Sequence, residues 1–362
     1  MRILYFTRSY SPHDHRFLDV LARSGHEVGY LPYEADAARR EPPELPEGIQ
    51  RVNWEGVERP WALAHNRRAL RKVLEEFKPD LVHAGPVQQP AFLTALAGFS
   101  PLVTMSWGSD ILLGSRRGIG RHQAGYTLQR STLFLCDCGA VKDRAVELGM
   151  PSEQIVVFPW GVDLEHFSPR DSAIREKTSW QDAFILLSTR SMEPLYAVDV
   201  TVEAFIRAAG ENSSLRLLLL GDGSMREQLE NRLEEAGLGE RSWFAGRVDL
   251  EQLPSYYRAA DLYITSSTSD GSSISLLEAM ACGLPAVVSD IPGNREWVTA
   301  GENGWLFPVG SVEEMAGSLL EAAGSGGGLL RMGSISRDIC EKRADWRGSS
   351  RKLLQAYERA RE

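Results

Sequence analysis

The chain has 362 residues, 43% of them hydrophobic and 25% charged, with a formal net charge of −9. That length suits two globular domains with a sizeable core each, and the acidic balance excludes a broad nucleic-acid-binding face. Four cysteines, Cys136, Cys138, Cys282 and Cys340, are too few and too scattered for a disulfide framework.

In the first half, strands alternate with helices. RILYFTR (2–8) reads as a strand from the outset, without the charged segment, apolar core and cleavage site of a secretion signal. No apolar run reaches membrane-spanning length, so a cytoplasmic protein is expected. HRFLDVLARSG (15–25) has helical periodicity with Gly25 as its stop, and HEVGYL (26–31) is the second strand. AHNRRALRKVLEEF (64–77) is helical; DLVHAG (80–85), PLVTMSW (101–107), STLFLCDC (131–138) and IVVFPW (155–160) are strands. Cys136 and Cys138 read as small residues at a buried strand end, because no other Cys or His pair completes a zinc site.

GVDLEHFSPRDSA (161–173) is polar and aperiodic, a linker. Alternation then restarts: FILLSTR (184–190), LRLLLLGDG (215–223), SWFAGRV (242–248), DLYITSS (261–267) and AVVSDI (286–291) are strands, with helices such as SMREQLENRLEEAG (224–237) between them. Apolar runs without alternation fit strands covered on both faces. GSGGG (324–328) reads as a flexible turn before a last helix in WRGSSRKLLQAYERARE. The expectation is an α/β fold of two tandem Rossmann-like domains facing across a cleft, 1–165 and 166–340, with 341–362 as a terminal helix.

Four strand ends of the second domain carry chemistry: Arg190, then Gly221-Asp222, then Arg247-Val248, then SDGSSISLLEAM (269–280). In a parallel sheet these ends share one rim. Gly271, Ser272 and Ser273 open a helix whose unpaired N–H groups and dipole suit an anion. Arg190 is placed to pair with a phosphate there. Asp270 lies just before the helix, where it can reach a neutral polyol beside the phosphate, and Glu278 lies about two turns deeper, where a carboxylate can accept from vicinal ribose hydroxyls. The plainer reading is a capped helix with a solvated Glu278 and a surface Arg190. LLLLGDGSM lacks the full G-x-G-x-x-G fingerprint, with Arg226 at the third glycine, which disfavours a nicotinamide dehydrogenase.

LLLLGDGSMREQLE, FAGRVDLEQLPSYYRAADLYITSS, DGSSISLLEAMACGLPAVVSDIPGNREWV and GENGWLF resemble the family-four glycosyltransferases of the GT-B fold, whose E-x(7)-E motif appears here as Asp270 to Glu278. RSGHEV, VVFPWGVDLEHFSP and the last helix carry the resemblance through the rest of the chain. It implies transfer of a sugar, with retention of configuration and without an essential metal or cofactor, from a UDP- or GDP-linked donor to a sugar or lipid-linked acceptor. By that resemblance Glu278 holds the ribose; the amides of Ser273, Ile274 and Ser275 hold the diphosphate; Asp270 contacts the donor sugar; Arg190 neutralises the leaving group; and Arg247 and Val248 line the base.

The pattern is broken at four places. Tyr196 stands where the family has a lysine, leaving Arg190 as the one matching cation. RSYSPHDHR (8–16) replaces a Gly-Gly loop, so His13, Asp14 and Arg16 become acceptor or phosphate candidates, with helix capping the other reading of Asp14. Trp107 stands where a His is common, and Asp110 after it is either a sugar contact or a cap. Asp270 is one methylene shorter than the usual Glu. GSRRGIGRHQ (114–123) reads as a basic loop, either solvated or gripping a phosphate-bearing acceptor at a membrane surface. Two other functions stay open: a noncatalytic nucleotide-sugar-binding subunit and a nucleotide-sugar epimerase.

Overall fold

Apolar residues that alternate in direction build two all-parallel sheets, each covered on both faces. The computed structural model describes residues 1–34, 44–59 and 62–362. They divide into one unit of Met1–Pro159 with Gly348–Glu362 and a second of Trp160–Arg347.

The first unit runs β1 (Arg2–Thr7), α1 (Pro12–Ala22), β2 (Glu27–Pro32), β3 (Ile49–Arg51), α2 (Leu63–Phe77), β4 (Leu81–Gly85), α3 (Phe92–Ala97), β5 (Leu102–Met105), α4 (Ser109–Leu112), α5 (Gly118–Leu128), β6 (Leu133–Cys136), α6 (Gly139–Glu147) and β7 (Ile155–Val157). Its sheet has the order β3-β2-β1-β4-β5-β6-β7. The order reverses between β1 and β4, the position at which such sheets open a crevice for ligands.

The second unit runs α7 (Ile174–Thr178), β8 (Phe184–Ser188), α8 (Val198–Glu211), β9 (Leu215–Leu220), α9 (Arg226–Glu235), β10 (Ser242–Gly246), α10 (Leu253–Ala259), β11 (Leu262–Thr265), α11 (Ile274–Ala281), β12 (Ala286–Ser289), α12 (Pro292–Arg295), β13 (Gly304–Phe307), α13 (Val312–Gly324) and α14 (Gly328–Arg343). Its sheet order is β10-β9-β8-β11-β12-β13. Ile185, Leu187, Leu218 and Leu220 enter one core, while Leu186, Leu217 and Leu219 enter the other. LRLLLL is apolar because each of its two sides meets a helical layer. Burying each such leucine contributes about 1.5–3 kcal/mol.

The last helix, α15 (Trp346–Arg359), begins in the second unit and ends in the first. Near the point where the chain leaves the first unit, Val162 pairs with the segment before α15: Val162 N donates to Ala344 O at 2.7 Å and Trp346 N to Val162 O at 3.0 Å. The stretch read as a linker is therefore tied down at its start.

Several elements differ from expectation. The first helix starts at Pro12, not at 15, because Ser11 and Asp14 form a reciprocal capping box, and it ends at Ala22 ahead of Gly25. GSGGG does not lead directly into the last helix, since the sixteen-residue α14 lies between. The basic stretch 114–123 is helical from Gly118 onward, where α5 begins.

Candidate functional site

Parallel strands bring their C-terminal ends to one edge, and in the second unit four loops meet there. The loops after β8 and β9 are stitched together, with Met192 N and Ser191 Oγ donating to Asp222 O at 3.0 and 2.9 Å, and the end of β9 is joined to that of β10, with Gly221 N donating to Gly246 O at 2.7 Å. Gly221 has φ +106 and its Cβ position lies 3.0 Å from Arg190 O, so a side chain there is strained. Arg247, next on this edge, is exposed, while Val248 packs partly against the core.

Arg190 reaches from the end of β8 to the start of α11. Its terminal nitrogens donate to Ser273 Oγ at 2.7 Å, Ser275 Oγ at 3.0 Å and Asp270 Oδ2 at 2.6 Å. The side chain is 10% exposed, and its guanidinium carbon lies 4.1 Å from the centre of the Tyr196 ring. Burial works most strongly against the charge, but Asp270, Tyr263 and Tyr196 together outweigh burial and hold the Arg190 pKa above its ordinary value. Arg190 is not a surface cation, and the capped-helix reading fails on this point. Asp270, Gly271 and Ser272 sit in the turn before the helix, where Trp297 Nε1 donates to Ser272 Oγ at 3.1 Å. Gly293 is required nearby, since a Cβ there would lie 2.2 Å from Gly271 O.

Glu278 is buried in the middle of α11, not solvated. Tyr257 Oη donates to its Oε2 at 2.8 Å and lies 3.0 Å from Thr189 Oγ1. Burial first, and then the Glu278 charge, push the Tyr257 phenol well above its usual pKa, so it remains a donor. Ser275 is held from its far side by Tyr263 Oη at 2.8 Å. N–H groups in the first turn of a helix have no intrahelical acceptor, so Ile274 and Ser275 offer amides beside the Arg190 guanidinium. The helix α11 thus presents amides and a buried carboxylate, and the loop after β8 brings a cation to its start.

Tyr257, Tyr263, Trp297 and Gly293 were not singled out from sequence. In SYYRAADLY and PGNREW they read as apolar-stripe and turn residues, with no local mark of what they touch.

In the first unit the candidates separate. His13 and Trp107 bring their rings to 5.7 Å, with Phe17 against Trp107. Arg16 lies in the second turn of α1. Asp14 and Asp110 are engaged within the chain. Asp14 accepts from Ser11 N at 2.8 Å, Ser11 Oγ at 2.5 Å and Tyr5 Oη at 3.0 Å. Asp110 accepts from Ser106 Oγ at 2.6 Å, Trp107 N at 3.0 Å and Val87 N at 2.9 Å. Burial raises both carboxyl pKa values against these bonds. Of the two readings open for each, these bonds carry the capping one: Asp14 and Asp110 shape the loops after β1 and β5.

Among the described residues no group of three or more His, Cys, Asp or Glu is placed to hold a metal ion, and no helix is long and apolar enough to cross a membrane. A hollow of about 680 Å³ opens at the opposite edge of the second sheet, between Phe184, Asp261, Pro285 and Arg337, and contains none of the groups above.

Residues 170–335 match the family model described as Glycosyl transferases group 1, and residues 13–166 the model described as Glycosyltransferase Family 4. The chain is similar to a D-inositol 3-phosphate glycosyltransferase of Kribbella flavida, with 30% identity over 223 residues, 59% of this chain and 52% of that one. It is also similar to the amylovoran biosynthesis glycosyltransferase AmsK of Erwinia amylovora, with 24% identity over 266 residues, 71% of this chain and 63% of that one. The chain therefore spans less than two thirds of the length of these relatives. Its fold is shared with Anabaena Alr3699/HepE in complex with UDP, at a TM-score of 0.81 and 20% identity over 99% of this chain and 100% of that one. Sucrose-phosphate synthase from Thermosynechococcus elongatus gives a TM-score of 0.82 at 17% identity over 99% and 98%.

Proposed function

We propose, from the premise that the chain belongs to the family-four glycosyltransferases of the GT-B fold, that it moves a hexose from a nucleoside-diphosphate sugar to an acceptor, with retention of configuration. The observation that carries this reading is the start of α11, where Arg190 is bound to Ser273 and Ser275 while Glu278 lies buried further along the same helix. The order cation, amides, carboxylate matches the order diphosphate, then ribose, along a nucleotide.

In this reading Glu278 accepts from the ribose hydroxyls, and Tyr257 fixes its orientation. Ser273, Ile274 and Ser275 amides hold the diphosphate. Arg190 leaves Asp270 for the leaving phosphate, which frees Asp270 to accept from the donor sugar. Cation and helix dipole together stabilise the charge that develops as the sugar–phosphate bond breaks. Gly221, Asp222, Arg247 and Val248 border the base. The acceptor is assigned to the strand ends of the first unit, where the His13 and Trp107 rings offer a flat face and Arg16 a charge. No metal is needed in this scheme, so chelator is expected to leave the rate unchanged.

The test is a thermal-shift comparison of UDP, GDP and ADP and their sugars, because a ligand bound only to the folded state raises the melting temperature. UDP is the first probe, since a protein of the same fold binds it. No shift with any nucleotide would sink the proposal. A shift with neither transfer nor slow donor hydrolysis would favour a binding subunit, and interconversion of the free donor sugar would favour an epimerase.

A further inference from the structure

The proposed site has one matching cation, and a tyrosine ring is laid against it. Tyr196 ends the short turn Pro194–Tyr196, and Ala197 after it has φ 45. Ser266 Oγ donates to the carbonyls of Tyr196 at 3.1 Å and Ala197 at 2.6 Å. The ring packs on the core that contains Met192, Val198 and Phe205. Its placement is thus set by β8, α8 and β11 together. Across its face, Arg190 lies 4.1 Å from the ring centre. The two terminal guanidinium nitrogens are held by Asp270, Ser273 and Ser275, while Nε is buried and has no hydrogen-bond partner among the described residues. A buried guanidinium with an unsatisfied Nε gains by rotating unless something blocks it. The Tyr196 ring covers one face of that guanidinium, and this face attracts the cation lying on it.

We propose that Tyr196 is a positioning and specificity residue. It holds Arg190 flat so that its terminal nitrogens point to the entry of α11, and makes one fixed cation the grip on the distal phosphate of the donor. This inference rests on the function proposed above. The face of the ring does this, not its hydroxyl, so phenylalanine is equivalent. The grip is specific to the second phosphate, so the ratio of UDP to UMP affinity reports it.

Calorimetric titration of UDP and UMP into wild type, Tyr196→Phe and Tyr196→Leu tests this, with melting curves to establish folding. The phenylalanine variant is expected to keep the wild-type ratio. For Tyr196→Leu, UDP affinity is expected to fall roughly five- to tenfold, with UMP affinity unchanged. Tyr196→Met takes its place if the leucine variant does not fold. An unaltered ratio in the leucine variant, an equal loss of both ligands, or loss of the ratio in the phenylalanine variant each overturns the role of the ring. Those results leave the functional reading intact. If guanine nucleotides alone stabilise the wild type, GDP and GMP are the pair used. A wild type that binds no nucleoside diphosphate removes the functional reading, and the inference with it.

Discussion

A carboxylate in a helix interior needs a donor or a proton, and Glu278 has the Tyr257 hydroxyl. Under the proposed function it also awaits two ribose hydroxyls. Glu278→Ala is therefore expected to weaken UDP binding at least tenfold, as befits loss of hydrogen bonds to a charged acceptor worth about 1.5–3 kcal/mol each; calorimetry reads this directly, and unchanged affinity removes the ribose assignment. Tyr257→Phe is expected to cost about 1–3 kcal/mol of stability in urea unfolding, because a buried charged acceptor loses a partner. Arg190→Ala acts differently. It removes transition-state charge stabilisation, so kcat is expected to fall by about a hundredfold, with a much smaller change in KM in a donor-hydrolysis or transfer assay. Glu278 and the Gly-Ser-Ser entry stand out as candidates in the sequence because their types and spacing are local, and Arg190 because it ends a strand run. Tyr257, twenty-one residues before Glu278, does not. A tyrosine on an amphipathic helix carries no sign of the carboxylate it meets after folding.

At the level of elements, two short segments decide local geometry. Ser11 and Asp14 start α1 earlier than its apolar periodicity suggests, because two reciprocal bonds fix the first turn. Ser11→Ala is expected to lower stability by about 1–2 kcal/mol in urea unfolding; an effect near zero would deny the cap its weight. The turn before α11 depends on Gly293 in α12. Its Cβ position lies 2.2 Å from Gly271 O, so Gly293→Ala is expected to push the Asp270–Gly271 turn away. The expected result is about 1–3 kcal/mol of destabilisation and weaker UDP binding. Gly317→Ala is the control, since a Cβ there, in the exposed part of α13, meets nothing within 4 Å among the described residues. It is expected to be neutral or stabilising by up to about 1 kcal/mol.

At the scale of the whole molecule, the last helix closes the first unit through a buried histidine. His83 of β4 meets the Tyr357 hydroxyl of α15 through Nδ1, and the rings of Tyr5, Phe17 and Tyr357 surround it. Burial lowers its pKa to about 3. Unfolded, the same side chain titrates at about 6.5. Between those values the unfolded chain binds the extra proton, so stability is full above about pH 6.5 and is lost as pH falls toward 3. The slope approaches about 1.4 kcal/mol per pH unit. Melting temperatures between pH 7 and 5.5 test this before most carboxylates titrate. His83→Phe is expected to flatten the dependence in that window, and an equally steep curve in the variant would assign it elsewhere.

The sequence by itself determined two parallel α/β sheets and the start of α11, because strand runs, helix periods and a Gly-Ser-Ser entry depend on neighbours in the chain. It did not determine that Arg190 would be buried against Asp270 and Tyr196, that Asp14 and Asp110 would be consumed in shaping loops, or that Glu278 would rest on Tyr257. Those outcomes arise where strand ends converge, among residues as far as eighty-five positions apart, as Arg190 and Ser275 are. A charged or polar side chain has several satisfactory partners in an extended chain. Burial removes water as one of them, and packing then decides which of the rest it meets.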